Sequence, residues 1–121
     1  MSTMRDTFHR DPTPGATAEW LVISGDSDAP PAAEAVKQAR ERGMRVNHLV
    51  LESTGADPDA AILRAAIGAK HIIVAERDSG ELAANVRRLL PQIGVVPANS
   101  ATAPVAAELV LERLLRTPRC C

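Results

Sequence analysis

The run Trp20-Leu21-Val22-Ile23 breaks at Ser24-Gly25-Asp26-Ser27-Asp28, and Ala32, Ala35, Val36 and Ala39 then recur at helical spacing; this stretch decides the fold. A short strand with no polar alternation is the pattern of a strand buried on both faces, and helices bury both faces of a parallel sheet. The polar break supplies a loop. Asp28 is placed to accept backbone N–H bonds at a helix start, Pro30 and Pro31 suit a first helical turn, and Gly43 ends the helix. Strand, loop and helix together make one unit.

Three more units follow. Val46 to Leu51 is a strand, Glu52 to Gly55 a loop, and Asp57-Pro58 opens a helix whose apolar stripe is Ala61, Ile62, Ala65 and Ala66, closed at Gly68. Ile72 to Ala75 is the third strand and Glu76 to Gly80 its loop, with a helix from Glu81 to Leu90 stopped by Pro91. The fourth strand is Ile93 to Val96. Pro97 to Ala101 reads as its loop, and Thr102 caps a last helix that ends at Thr117-Pro118. Four such units predict an α/β three-layer, Rossmann-like sandwich of about four mostly parallel strands alternating with four helices. Residues 18–118 form that single domain. Residues 1–17 show no apolar period and carry Pro12, Pro14 and Gly15, so they read as a flexible N-terminal arm, and 119–121 as a tail.

Bulk properties agree. A chain of 121 residues is an ordinary size for one domain. With no Tyr, one Phe and one Trp, its core must be built from Ala, Val, Leu and Ile. Fourteen basic and fifteen acidic residues are interspersed, so there is neither the basic face nor the aromatic platform that nucleic-acid binding calls for. No stretch has the form of a signal peptide or the length of a membrane span, which gives a cytoplasmic expectation. Cys120 and Cys121 are neighbours and cannot staple distant elements, so they read as exposed thiols. His9 and His48 stand alone, without a second ligand at metal-binding spacing.

In open parallel sheets, ligands sit outside the carboxyl ends of the strands, where helix N-termini offer free N–H groups to an anion. The candidate ligand-binding residues are therefore Gly25, Asp26, Ser27 and Asp28 on the first loop, Ser79 and Gly80 on the third, and Asn99, Ser100 and Thr102 on the fourth. Asp26 and Asp28, two residues apart at a strand end, can share a divalent cation, and oxygen ligands suit Mg²⁺. No phosphate loop of the Gly-x-x-x-x-Gly-Lys kind occurs. His48, within a strand, and His71, at the start of one, are expected away from the polar loops, so Ser27 and Ser79 have no general base.

Ser24-Gly25-Asp26-Ser27-Asp28 resembles the acidic strand end of TOPRIM domains and the equivalent motif of NYN nucleases, and Gly55-Ala56-Asp57-Pro58-Asp59 is similar to the Asp-Pro-Asp element of primase-type TOPRIM domains. This implies Mg²⁺-dependent phosphoryl transfer. Both families carry a further acidic residue on an earlier strand, and here only the arm precedes Trp20. Leu21 to Ala39 also resembles the opening strand and Ala-rich helix of the universal stress protein family, with Gly25-Asp26-Ser27 where the family has Asp-Gly-Ser. Asp57 to Val74, with Ile62, Gly68-Ala69 and Ile72-Ile73-Val74, is similar to its middle, and Val105 to Leu115 to its last helix. This resemblance implies a nucleotide-binding fold, although the family's ATP-binding Gly-x-x-Gly and Gly-Ser/Thr are absent after Ala75.

With no catalytic constellation completed, the sequence favours binding over catalysis. The leading expectation is a small binding or regulatory module that takes an anion, nucleotide or other small phosphorylated ligand at the loop edge. The alternatives are a Mg²⁺-dependent nuclease-like enzyme using Asp26 and Asp28, and a structural or scaffold subunit. A homo-oligomer is expected because Val105, Leu109, Val110, Leu111, Leu114 and Leu115 cover more than one side of the last helix.

Overall fold

The computed structural model describes residues 7–9, 18–25, 29–51, 58–77, 81–100 and 107–116. Five strands, β1 (Thr7–His9), β2 (Trp20–Gly25), β3 (Val46–Leu51), β4 (His71–Arg77) and β5 (Gly94–Ser100), form one sheet in the order β1-β3-β2-β4-β5. β2 to β5 are all parallel to one another, and β1 is antiparallel to β3. The helices are α1 (Ala29–Glu41), α2 (Pro58–Ala65), α3 (Glu81–Leu89) and α4 (Ala107–Arg116). This is the expected three-layer α/β fold.

Strand order and handedness together fix the layers. The chain moves from β2 outward to β3, then crosses back over β2 to β4 and on to β5. Right-handed crossovers running in opposite directions must lie on opposite faces of a sheet. Accordingly, α1 and α4 cover one face, where Trp20, Val22, Val46 and Ile73 meet Ala32, Ala35, Val36, Ala39, Val110 and Leu114. α2 and α3 cover the other, where Leu21, Ile23, Leu49, Ile72 and Val74 meet Ala61, Ile62, Ala65, Ala83 and Val86. Successive residues of β2 enter opposite layers, which is why the strand reads as unbroken apolar sequence. Three alanines on α1 keep its buried face small, and Val110 and Leu114 of α4 pack into the same core.

The helix ends follow local chemistry. At the end of α1, Met44 N–H donates to the Ala39 carbonyl at 3.1 Å and Gly43 N–H to the Arg40 carbonyl at 3.0 Å. This pairing requires a left-handed residue, and Gly43 supplies it with a φ of 89°. Arg40 then donates from Nε and Nη2 to the Val46 carbonyl at 3.0 and 2.7 Å, tying the last turn of α1 to the start of β3. Gly68, with a φ of 85°, also takes the left-handed conformation after α2, where Ala69 N–H donates to the Ala66 carbonyl at 2.9 Å.

Three sequence expectations change. Residues 7–9, read as part of a flexible arm, form a strand, with Thr7 opposite Val50, Phe8 opposite Leu49 and His9 opposite His48. A β-branched and an aromatic residue suit a strand, and β3 would otherwise present an unpaired edge; three residues are too few to show a period. Second, β4 and β5 run on through segments read as loops. Glu76 pairs with Asn99 and Arg77 with Ser100. Pro97 was a turn signal in the sequence, but β5 is an edge strand, where a residue lacking N–H is tolerated. Third, the apolar residues of α4 are largely consumed within the chain. Val110 and Leu114 are buried, Leu109 and Leu111 pack against the same core, and Leu115 alone of these is exposed. Val105 lies outside the described residues. Among those residues no helix is long and apolar enough to cross a membrane.

Gly43→Ala is expected to cost about 1 kcal/mol, or a fall of about 4 °C in Tm. Nothing lies within 4 Å of a Cβ built there, so the cost is backbone strain alone. Urea denaturation of the variant checks this, and an unchanged midpoint would show that the turn relaxes out of the left-handed region.

Candidate functional site

In a sheet of this kind the crevice opens where consecutive connections leave in opposite directions. Here that point lies between β2 and β4, because β3 is on one side of β2 and β4 on the other. The β2–β4 ladder ends at Ser24 opposite Ala75, while Gly25 continues against Leu51 of β3. In sequence, β2 is followed by α1 and β4 by α3.

The nine candidate residues divide accordingly. Gly25 is the last residue of β2 and half-buried. Among the described residues, a Cβ built there would meet the Leu51 carbonyl oxygen at 4.0 Å, an ordinary contact. Asn99 and Ser100 end β5, one strand beyond β4, so β4 separates them from Gly25 along the same edge. Asp26, Ser27, Asp28, Ser79, Gly80 and Thr102 lie outside the described residues. Among those that are described, no three His, Cys, Asp or Glu residues are grouped to hold a metal.

Charges at the helix ends follow the helix dipoles. The four helices all return antiparallel to the parallel strands, so their N-termini share the carboxyl edge and their C-termini the amino edge. Asp59 and Glu108 occupy first turns, and Arg40, Arg64, Arg87, Arg88, Arg113 and Arg116 occupy last turns, each sign matched to its helix dipole. Between the elements, Arg42, Arg45 and Lys70 stand at the amino edge together with Glu19 and Glu41, while Arg77 ends β4 at the carboxyl edge.

Just beneath the crevice lies a polar pair that the sequence reading missed. Ser24 and His48 are both buried, and Ser24 Oγ lies 2.8 Å from His48 Nε2. His48 stands in the register opposite Val22, mid-strand, and its ring reaches toward the carboxyl edge rather than away from the loops as expected. The available signal was a Ser and a His inside apolar strand runs, since a buried polar group needs a partner. At the opposite edge, Trp20 stacks on His71, with ring centroids 6.1 Å apart and planes 26° apart. On the α2/α3 face, Asn85 donates to Asp59 Oδ1 at 3.0 Å and Arg88 pairs with Asp59 Oδ2 at 3.4 Å, joining the two helices.

No protein-family description matches the sequence, and no curated protein matches it. Solved structures do share its fold. A split gene transketolase, an inactive beta4 tetramer, superposes with a TM-score of 0.71 at 15% identity over 93% of this chain and 40% of its own. A 2-oxoglutarate:ferredoxin oxidoreductase from Magnetococcus marinus, with 2-oxoglutarate, coenzyme A and succinyl-CoA bound, gives a TM-score of 0.73 at 17% identity over 93% of this chain and 19% of its own. The chain thus spans well under half the length of either, and the likeness is one of Rossmann-like α/β fold.

Ser24→Ala is expected to cost about 1–3 kcal/mol by removing a hydrogen-bond partner from a buried imidazole. Chemical denaturation measures it. A loss below about 0.5 kcal/mol would show that His48 is satisfied without Ser24.

Proposed function

We propose that the chain is a small binding or regulatory module whose ligand is a phosphate-bearing anion or nucleotide, held as its Mg²⁺ complex at the carboxyl edge of the sheet. The observation that carries this reading is the reversal of strand order at β2 and β4. It supports reading the segments that follow Gly25 and Arg77, each preceding a helix in sequence, as the walls of one crevice. Backbone N–H groups of Gly25, Ser27 and Gly80 and the side chains of Ser79, Asn99, Ser100 and Thr102 are the donors offered to phosphate oxygens. Asp26 and Asp28 would repel a bare phosphate, so they hold the cation, and oxygen donors of this kind fit Mg²⁺. The TOPRIM-like and NYN-like character of this loop enters the reading as cation binding and not as a reaction.

The module works within an assembly. Its structural neighbours are chains of which it spans 40% and 19%, and one of them is a beta4 tetramer. Self-association of this chain is part of the proposal.

Thermal-shift titrations with Mg²⁺, inorganic phosphate, ATP and coenzyme A, singly and with Mg²⁺, test the ligand. A ligand at a hundred times its Kd stabilises the folded state by about 2.7 kcal/mol, a shift of several degrees. The expected result is a shift that requires Mg²⁺. Asp26→Asn should weaken that Mg²⁺-dependent shift while leaving metal-free binding intact or improved. Asp28→Ala should cost about 1 kcal/mol of stability through the lost cap. Binding untouched by either variant would make the acidic loop structural, and no shift with any compound would leave the chain a scaffold subunit.

A further inference from the structure

β4 does not stop where its neighbour across the strand-order reversal stops. The β2–β4 ladder ends with Ser24 opposite Ala75, while β4 continues alongside β5, with Glu76 opposite Asn99 and Arg77 opposite Ser100. Glu76 and Arg77 therefore stand past the last rung that β4 shares with β2.

Alternation along a strand sorts these positions between the two faces. Ile73 and Ala75 belong to the core under α1 and α4, and Ile72 and Val74 to the core under α2 and α3. Arg77 accordingly falls on the α1/α4 face, in line with Ala75, and Glu76 on the α2/α3 face. On β5, Val96 packs against the α1/α4 core and Val95 against the other, so Ser100 shares the face of Arg77 and Asn99 that of Glu76. At this end of the sheet, one face has the positions of a cation and a hydroxyl, and the other those of a carboxylate and an amide.

The sign of the charge makes Arg77 distinctive. β2, β3 and β5 end on Gly25, Leu51 and Ser100. In sequence, residues 26–28, 52–57, 78–80 and 101–106 contain Asp26, Asp28, Glu52, Asp57 and Asp78 and no Lys or Arg. Among the strand ends and these joining segments, Arg77 is thus the one Lys or Arg that can meet an anion. A guanidinium offers paired N–H donors in a fork that matches two phosphate oxygens.

We infer that Arg77, with Ser100 beside it on the α1/α4 face of the sheet end, holds the phosphate of the ligand across the crevice from the Mg²⁺ of Asp26 and Asp28. This rests on the ligand reading proposed above and narrows its chemistry. Adjacent strands are about 4.8 Å apart, so one phosphate can be reached from both walls. The fork takes two of its oxygens and the cation a third. A terminal phosphate has three free oxygens, and a phosphate inside a diester or dinucleotide has two, so the site selects a terminal phosphate.

Isothermal titration calorimetry of the full chain with Mg²⁺ present decides the matter. ATP should bind at least about tenfold more tightly than NAD, whose two linking phosphates are internal. Arg77→Gln should weaken ATP binding at least about tenfold, and Arg77→Lys, which keeps the charge without the fork, severalfold. Both variants should keep the wild-type circular dichroism and Mg²⁺ affinity. Glu76→Gln, on the other face, should leave ATP affinity unchanged. Arg77→Lys carries the comparison if Arg77→Gln does not fold. A wild-type chain that binds neither ATP nor inorganic phosphate overturns the ligand reading and this residue with it. ATP affinity unchanged in either Arg77 variant keeps the ligand reading and overturns the role of Arg77, and NAD binding as tight as that of ATP overturns the selection for a terminal phosphate.

Discussion

Four parallel strands cannot be joined by tight turns, and from that constraint most of this molecule follows. Each strand must be left at its carboxyl end and re-entered at its amino end, so every connection carries a crossover helix that runs the other way. Helices on both faces bury the sheet completely, which is why β2 reads Trp-Leu-Val-Ile without alternation and why its side chains supply both core clusters. The uniform direction of the helices also aligns their dipoles. Acidic residues collect at one edge of the sheet and basic residues at the other because each helix end selects its own sign. The signs at the helix ends are thus a consequence of topology, obtained with a formal net charge of only -1.

What the sequence made legible was whatever is encoded locally. Strand interiors announce themselves by apolar runs, and helix starts and stops by Pro30, Pro58, Gly43 and Gly68. Strand order is not local. Nothing in the spacing of β3 and β4 says that they flank β2, yet that fact places the crevice. The ends of β4 and β5 were misread for a related reason. Glu76, Arg77, Asn99 and Ser100 are polar or charged and look like loop, but two neighbouring strands that overrun together satisfy each other's backbone groups. Thr7 to His9 was missed because a three-residue strand is held by its partner's open edge and not by any pattern of its own.

The Ser24–His48 pair shows the same division at the level of side chains. Each residue alone is an anomaly in an apolar strand, and only the parallel register of β2 with β3 brings them within 2.8 Å. A buried, hydrogen-bonded polar pair cross-links the two strands at a defined offset, because slipping the register by one residue would turn Ser24 and His48 to opposite faces and break their bond. The pair lies one residue below Gly25, so it pins the strand end from which the candidate loop departs.

That loop is where two local rules conflict. A helix N-terminus after a strand end favours an anion, and the capping requirement favours Asp over Lys at the same place. When carboxylates answer the preference at helix starts, as Asp59 and Glu108 do in the first turns of α2 and α4, the edge that topology prepares for phosphate gains negative charge. A divalent cation reconciles the two, since it turns the carboxylates from repelling groups into ligands and presents positive charge to the anion.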